Sequence, residues 1–137
     1  MEPTLTNNDV GIAIKENKHI EKGDIVIVVL DKNKRSAPSH KTIIKRVIAT
    51  EGDVISFKND KVYINEKELK EPYITSITPS NTPPTTLRKN EFFVMGDNRV
   101  SSYDSRSFGV ITREEIKGRW LFENKIASYI SHKTQQE

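Results

Sequence analysis

The chain has 137 residues, the length of one domain, and its 22 basic and 19 acidic residues leave a formal net charge of +3. These charges are spread along the chain without a basic block, so we expect no nucleic-acid partner. There is no cysteine and the three histidines are widely scattered, so the sequence implies neither a disulfide nor a metal site.

Short apolar segments, separated by glycine, proline and polar turns, predict β-strands along most of the chain. Residues 25–30 (IVIVVL) are continuously apolar and mostly β-branched, which is typical of a strand buried on both faces. Residues 42–49 form the next predicted strand. Residues 54–64 predict a β-hairpin with KNDK as its turn, and residues 91–95 predict a further strand.

Two further segments complete the predicted fold. Residues 71–90 contain four prolines among threonines and serines, which indicates a flap or loop without regular structure. Residues 112–115 (TREE) have the capping-box pattern of a helix start, and Gly118 limits that helix to about two turns. We therefore predict a single, mainly β domain over residues 1–137, with a partly closed, barrel-like, coiled antiparallel sheet as its core and one short helix. Residues 54–90 would add a small inserted β-hairpin and flap region.

Residues 96–109 (GDNRVSSYDSRSFG) form a dense polar stretch that directly follows an apolar strand. Two aspartates, two arginines, one asparagine and four serines fall within it. Such groups cost free energy beside a core unless they pair with one another. One interpretation is a surface loop held by its own hydrogen bonds and by pairing of Asp104 with Arg106. The other is a set of side chains that supports an active site, and composition alone leaves both open.

Lys45 is unusual because it lies inside a predicted strand. Alternation puts Ile43, Lys45 and Val47 on one face, so the amine has apolar neighbours on both sides along the strand. Burial there would disfavour the ammonium form and would lower the pKa of the lysine. A long lysine side chain can instead reach water from an apolar surface. The strand alone does not decide between these two interpretations.

Three sequence blocks, in the correct order, resemble the type I signal peptidases, which are Ser/Lys endopeptidases that remove signal peptides from exported proteins. Residues 1–5 (MEPTL) are similar to the end of the nucleophile motif, Ser-Met-x-Pro-Thr-Leu. Residues 45–48 (KRVI), with Gly-Asp at 52–53, resemble the general-base block. Residues 96–99 (GDNR) with 104–106 (DSR) match the last block closely. The resemblance covers essentially the whole chain, and GDNR followed by DSR is its most specific part.

The resemblance implies a catalytic arrangement that needs no metal and no cofactor. Lys45 would act as the general base, and the Ser102 hydroxyl would orient its amine. Asp104 and Arg106 would pair and support the loop that carries Ser102. The lysine must be neutral, and lowering its pKa from about 10.4 to about 8 corresponds to roughly 3 kcal/mol, which burial can supply. Three neighbouring residues of the last block would give structural support, namely Asp97, Asn98 and Arg99.

The resemblance also implies a substrate and a location. The family cleaves after small residues, typically alanine at the first and third positions before the cut, because its pockets are shallow. Met1, Ile43 and Ile44 align with the substrate-binding region. The partners would be signal peptides of exported preproteins. The domain would lie on the outer side of a bacterial cell membrane, anchored by a segment outside these residues, which contain no apolar run long enough to span a bilayer.

The position of Met1 bears on activity. In the family, the nucleophilic serine comes immediately before the methionine that aligns with Met1, so we expect this chain to lack the nucleophile and to be inactive as it stands. Two other interpretations stay open. An inactive homologue would bind signal peptides or partner peptidases without cutting them. Self-cleaving repressors share a Ser/Lys dyad on a related β core, but they are not expected to carry GDNR with DSR.

Overall fold

Two antiparallel β-sheets and one short helix make up the regular structure of the computed structural model, which describes residues 1–6, 9, 11–32 and 42–121. The strands are β1 (Ile12–Ile14), β2 (Ile25–Val29), β3 (Thr42–Ala49), β4 (Val54–Lys58), β5 (Lys61–Ile64), β6 (Lys67–Glu68), β7 (Thr85–Thr86), β8 (Glu91–Met95), β9 (Ile111–Thr112) and β10 (Ile116–Leu121). Helix α1 (Ser105–Phe108) lies between β8 and β9, and a 3₁₀ turn (Arg113–Glu115) precedes β10. Within these described ranges, no helix has the length and apolar character needed to cross a membrane.

The larger sheet contains six strands in the order β1-β10-β2-β3-β8-β9, and every neighbouring pair is antiparallel. Its central pair runs from Ile25 on β2 opposite Arg46 on β3 to Val29 opposite Thr42. In the described part of the chain, no strand pair joins β1 to β9, so the sheet does not close into a complete barrel. The mainly β, antiparallel fold predicted from the sequence is confirmed.

The smaller sheet contains four strands in the order β6-β5-β4-β7 and includes the predicted hairpin. The pairing of strands β4 and β5 runs from Ile55 opposite Ile64 to Lys58 opposite Lys61. Asn59 and Asp60 form the turn between them with φ of 52° and 59°. Short polar side chains tolerate this left-handed conformation, which two-residue hairpin turns favour. Residues 71–90, all of which the structure describes, are irregular as predicted apart from the two-residue strand β7.

Two clusters of buried apolar side chains stabilise the described residues, and β3 contributes to both. The first covers one face of the larger sheet and contains Val26, Val28, Leu30, Ile43, Val47, Phe92, Val94, Ile111 and Ile116. The second joins the larger sheet to the hairpin and contains Ile48, Ala49, Ile55, Val62, Ile64, Leu87, Phe93 and Met95. Because burial of apolar surface is the main favourable term in folding, β3 is held firmly from two sides. This is the strand that carries Lys45.

The helix predicted from Thr112 is wrong beyond its first turn. The capping box is present, since the Thr112 N–H donates to Glu115 Oε1 at 3.0 Å, but it begins a 3₁₀ turn of three residues. From Ile116 the chain continues as β10, because pairing with β1 and β2 satisfies its backbone groups on both edges. The helix lies earlier in the chain, where the Asp104 side chain accepts the Arg106 N–H at 3.1 Å and caps α1.

Candidate active site

Lys45 lies near the middle of β3, with buried apolar neighbours on its own face. Ile43 and Val47 are 9% and 0% exposed, and Val26, the partner of Lys45 in the register of β2 and β3, is 0% exposed. The Lys45 side chain is partly buried. Its Nζ donates a hydrogen bond to Ser102 Oγ at 2.9 Å. The fold therefore brings together two predicted site residues that are 57 positions apart in the sequence.

Gly96 follows β8 and packs against both members of this pair. A Cβ atom at position 96 would stand 2.2 Å from Ser102 Oγ and 3.3 Å from Lys45 Nζ. The first distance is far inside van der Waals contact, so any side chain at this position would displace the serine. The glycine of the GDNR block thus allows the loop backbone to approach the lysine–serine hydrogen bond closely.

The predicted pair of Asp104 with Arg106 is present and buried. Arg106 Nε and Nη2 donate to the two carboxylate oxygens at 2.9 and 2.8 Å, and the Asp104 side chain is 0% exposed. The same carboxylate accepts the Gly96 N–H at 3.1 Å. Burial opposes ionisation of Asp104, but the hydrogen bonds and charge of Arg106 outweigh it and keep the pKa of Asp104 below its ordinary value. The ionised pair therefore joins Gly96 to Arg106 and holds both ends of residues 96–106, the loop that contains Ser102.

A second buried ion pair joins Asp97, a predicted support residue, to Arg46, which the sequence analysis missed. Arg46 Nε and Nη2 donate to the two carboxylate oxygens at 2.9 and 2.8 Å, and the side chains are 9% and 0% exposed. The Thr4 hydroxyl donates to the same carboxylate. Asp97 therefore links the strand of Lys45 to the segment that begins at Met1. The signal that could have found the pair is the arginine itself, since a charged group inside a buried strand needs an opposite charge.

Arg99, also predicted as a support residue, is buried and pairs with Glu71. Its Nη1 and Nη2 donate to the two Glu71 oxygens at 3.0 and 2.5 Å, and its Nε donates to the Gly96 carbonyl at 2.8 Å. Glu71 lies in the stretch interpreted as a flap, where nothing in the local sequence distinguishes it. Asn98, the third support residue, contributes through its backbone, since its carbonyl accepts the Ser101 N–H at 3.1 Å.

The relatives of this chain identify its family. The chain matches the family described as "Signal peptidase, peptidase S26" over residues 1–123. The chain belongs to this family. The resemblance to type I signal peptidases, carried by the three sequence blocks, is thereby confirmed. Among solved structures, the signal peptidase I of Enterococcus faecalis V583 superposes with a TM-score of 0.57 and 26% identity, covering 74% of this chain and 97% of that chain.

Three curated relatives of this chain are longer than the chain itself. Signal peptidase I P of Bacillus subtilis subsp. natto is 35% identical over 133 residues, covering 86% of this chain and 68% of that protein. Probable signal peptidase I-2 of a Synechocystis species is 35% identical over 122 residues, covering 87% and 56%. Signal peptidase IB of Staphylococcus aureus (strain COL) is 31% identical over 143 residues, covering 89% and 71%.

The three residues that the signal peptidase resemblance assigns to substrate binding lie in different environments. Met1 is partly buried, and the pKa of its α-amino group is lowered first by burial and then by the positive charge of Lys45. Ile44 is 36% exposed on the opposite face of β3 from Lys45. Ile43 is 9% exposed and belongs to the first core cluster. Met1 and Ile44 therefore keep solvent-exposed surface, whereas Ile43 has little, and contact of the three residues with a substrate stays a prediction.

The chemical groups around Lys45 suit proton transfer. Among the residues that the structure describes, no group of three or more potential ligands could hold a metal ion. Around Lys45 the fold places the Ser102 hydroxyl and the Gly96 backbone, and three buried arginine–carboxylate pairs support this region. A lysine amine can take a proton when neutral and return it afterwards, provided that its neighbours hold it in place.

Proposed function

We propose that this domain is the catalytic part of a serine endopeptidase that removes signal peptides from exported proteins. In this proposal, Lys45 is the general base for a serine joined to the backbone nitrogen of Met1. The observation that carries the proposal is the position of the Lys45 amine, which is 2.9 Å from Ser102 Oγ. Burial, and after it the positive charge of Lys45, lower the pKa of the Met1 α-amino group, so the two amines interact electrostatically. Membership of the signal peptidase family supports this assignment.

The first half of the reaction uses Lys45 as a base and then as an acid. A serine hydroxyl is a weak nucleophile until a base removes its proton. A neutral lysine amine has one lone pair and two N–H groups, and donation of one N–H to Ser102 directs the lone pair toward the nucleophile. The serine oxygen forms a bond to the scissile carbonyl carbon as Lys45 takes the proton. Lys45 then gives this proton to the departing amine as the peptide C–N bond breaks.

The second half repeats this cycle with water. The first half leaves the signal peptide as an ester on the serine oxygen. Lys45, neutral again, takes a proton from a water molecule, whose oxygen attacks the ester carbon. The serine oxygen leaves with the proton that Lys45 returns, so the enzyme is restored and the signal peptide is released as an acid. Cleavage should therefore increase with pH as the lysine ammonium loses its proton.

The substrate is proposed to pair with β3. The register of β3 and β8 begins at Arg46 opposite Met95, so β8 does not cover residues 42–44 of β3. An extended peptide can add to such an edge through backbone hydrogen bonds, with alternate side chains entering pockets. Alanine at the first and third positions before the cut fits shallow pockets near Met1 and Ile44 that would exclude larger side chains.

The proposed location is the outer side of the cytoplasmic membrane of a bacterium. A segment that precedes residue 1 would anchor the domain, and signal peptides of exported preproteins would be its partners. The three relatives described above are longer than this chain, which covers 56–71% of their lengths, and this difference allows for such a segment.

A direct test compares two forms of the chain, one with serine and one with alanine immediately before Met1. The substrate is a quenched fluorescent peptide with alanine at the first and third positions before the intended cut. We expect only the serine form to cleave it, after the second alanine, as identified by mass spectrometry. Lys45→Ala in that form should lower kcat/KM by roughly 10²–10⁴-fold, and Ser102→Ala should cause a smaller loss of about tenfold.

Lys61→Ala is the matched control, because Lys61 is a 58% exposed lysine on β5 of the smaller sheet and pairs with Glu68. It should leave kcat/KM unchanged. Undiminished turnover in Lys45→Ala would refute the Ser/Lys mechanism. Binding of the peptide without cleavage by the serine form would instead support an inactive, peptide-binding homologue. The codon before Met1 in the gene gives an independent check, since only a serine codon agrees with the proposed enzyme.

A further inference from the structure

The clamp segment, residues 71–82, contacts a buried arginine of the site. It lies within residues 71–90, which the sequence predicts as a flap or loop without regular structure. Its first residue, Glu71, accepts hydrogen bonds from both terminal nitrogens of Arg99, and Thr78 Oγ1 accepts another from the same guanidinium at 3.0 Å. The side chains of Arg99 and Glu71 are 0% and 4% exposed. A charge so far from water depends on its partners for its position, so the clamp segment determines where Arg99 lies.

The same segment contacts the second arginine of the loop. The Pro79 carbonyl accepts a hydrogen bond from Arg106 Nη1 at 2.9 Å, and the Thr82 hydroxyl donates to the Arg106 carbonyl at 3.4 Å. Arg106 Nη1 also donates to the Arg99 carbonyl at 2.8 Å. The clamp segment therefore lies along the loop and is bonded to both of its arginines.

Tyr73 extends this contact to the strand of the lysine. Its hydroxyl donates to Glu71 Oε2 at 3.0 Å, and its ring centroid lies 3.8 Å from the guanidinium carbon of Arg46. Burial and then the Glu71 carboxylate raise the pKa of the Tyr73 hydroxyl, so it remains a donor at neutral pH. The stacked guanidinium is attracted to the face of the ring. Tyr73 thus connects Glu71 to the residue that follows Lys45 on β3.

The clamp segment is connected indirectly to both partners of the lysine–serine hydrogen bond. One connection is through Arg99, whose Nε donates to the Gly96 carbonyl, and Gly96 packs against Ser102. The other is through Arg46, which is the strand neighbour of Lys45 and is held both by Asp97 and by the ring of Tyr73. A hydrogen bond between side chains from distant segments requires both backbones to be held, and the clamp segment contributes to holding each.

We propose that Glu71 and Tyr73 are positioning residues that hold the Lys45 amine and its serine partner at hydrogen-bond distance. They act through Arg99 and Arg46. The clamp segment is then a part of the site and couples the smaller sheet to Lys45 and Ser102. The effect on catalysis rests on the proposed function, whereas the effect on the geometry of Lys45 does not.

The experiment uses Glu71→Gln and Tyr73→Phe, with Glu68→Gln as the matched control. Glu68 lies three positions before Glu71 and pairs with the exposed Lys61, so its loss removes a carboxylate from the same region without touching either arginine. In the form with serine before Met1, Glu71→Gln should lower kcat about tenfold and Tyr73→Phe about threefold, with KM within about twofold. Glu68→Gln should change neither constant.

A second measurement uses the chain as it stands and does not depend on activity. With lysine labelled with ¹³C at the ε position, the Lys45 resonance is assigned by its absence in Lys45→Arg. We expect this resonance and the Gly96 amide resonance to move in Glu71→Gln and Tyr73→Phe but to stay in place in Glu68→Gln. Thermal unfolding confirms that each variant is folded at the temperature at which its spectrum is recorded. If Glu71→Gln does not fold, Tyr73→Phe, which removes a single oxygen atom, decides the outcome.

The outcomes separate this proposal from the proposed function. Unmoved Lys45 and Gly96 resonances in the folded variants would overturn the positioning role, and so would a loss that appears in KM rather than kcat. If the serine form of the parent chain cleaves nothing, the proposed function fails. The Lys45 and Gly96 resonances are then the only test of the positioning role, and their movement in Glu71→Gln and Tyr73→Phe would still support it.

Discussion

The loop at residues 96–106 and the smaller sheet's strands β4–β6 (residues 54–68) both contain ion pairs, but the pairs differ in solvent exposure. In the loop, the side chains of Asp104 and Arg106 are 0% and 9% exposed. In the hairpin and its next strand, those of Lys61 and Glu68 are 58% and 37% exposed and lie 3.5 Å apart. A buried pair loses hydration and is tolerated only when hydrogen bonds complete it, whereas an exposed pair is screened by water. The same side-chain chemistry therefore holds a site in one region and covers a solvated surface in the other.

The largest effect should come from removing Asp97. Asp97→Ala leaves Arg46 buried without its carboxylate and removes the acceptor of the Thr4 hydroxyl. Loss of one partner of a buried pair costs about 3–5 kcal/mol, so the free energy of unfolding measured in urea should fall by about that amount. If Asp97→Ala lowers the free energy of unfolding by less than about 1 kcal/mol, this buried pair contributes no more than an exposed one, which would contradict the difference drawn between the two regions.

A methyl group at position 96 should have the next largest effect. Gly96→Ala would place a Cβ 2.2 Å from Ser102 Oγ and 2.8 Å from its Cβ, which should cost about 1–3 kcal/mol of unfolding free energy. In the form with serine before Met1, proteolysis should fall by about 100-fold, because the lysine–serine geometry is disturbed. The double variant Gly96→Ala/Ser102→Gly removes the clash, so it should regain stability in urea without regaining full activity. Equal stability of the single and double variants would show that the clash is relieved elsewhere.

Acid should weaken the buried loop through Asp104. Its pKa is lower in the folded protein than the value of about 3.9 expected in the unfolded chain, so the unfolded state binds more protons between these two values. The stabilisation is therefore fully present above about pH 4 and is lost as the pH falls through the folded pKa. Urea unfolding between about pH 2 and pH 5 should show a shallower dependence in Asp104→Asn than in the parent chain. Equal slopes would mean that other carboxyl groups carry the acid sensitivity.

The smallest effect is expected in the hairpin. Glu68→Ala removes an exposed partner of Lys61, so the free energy of unfolding should change by at most about 1 kcal/mol, and added salt should reduce even this difference. Urea denaturation at low and high salt makes the measurement. If Glu68→Ala lowers the free energy of unfolding as much as Asp97→Ala does, the exposed pair stabilises the fold despite its exposure to solvent.

Sequence patterns predicted the strands well where the local signal was clear. Strands β3 and β8 follow from runs of apolar residues between polar turns, and the hairpin turn at Asn59 and Asp60 follows from turn chemistry. The same local reasoning was wrong after Thr112. A capping box can begin a single helical turn that leads into a strand, as it does here, as well as a longer helix. The outcome there depends on β1 and β2, which offer backbone partners on both edges of β10.

By itself, the sequence determined the class of fold, the family blocks and the local pair of Asp104 with Arg106, two positions apart. The tertiary structure alone decided the partners of the other buried arginines. Arg46 and Asp97 are 51 positions apart, and Arg99 and Glu71 are 28 positions apart. No periodicity links such residues, because a buried charge pairs with whichever opposite charge the packed strands and loops bring to it. Local patterns therefore predicted where Lys45 lies, whereas packing decided what holds it.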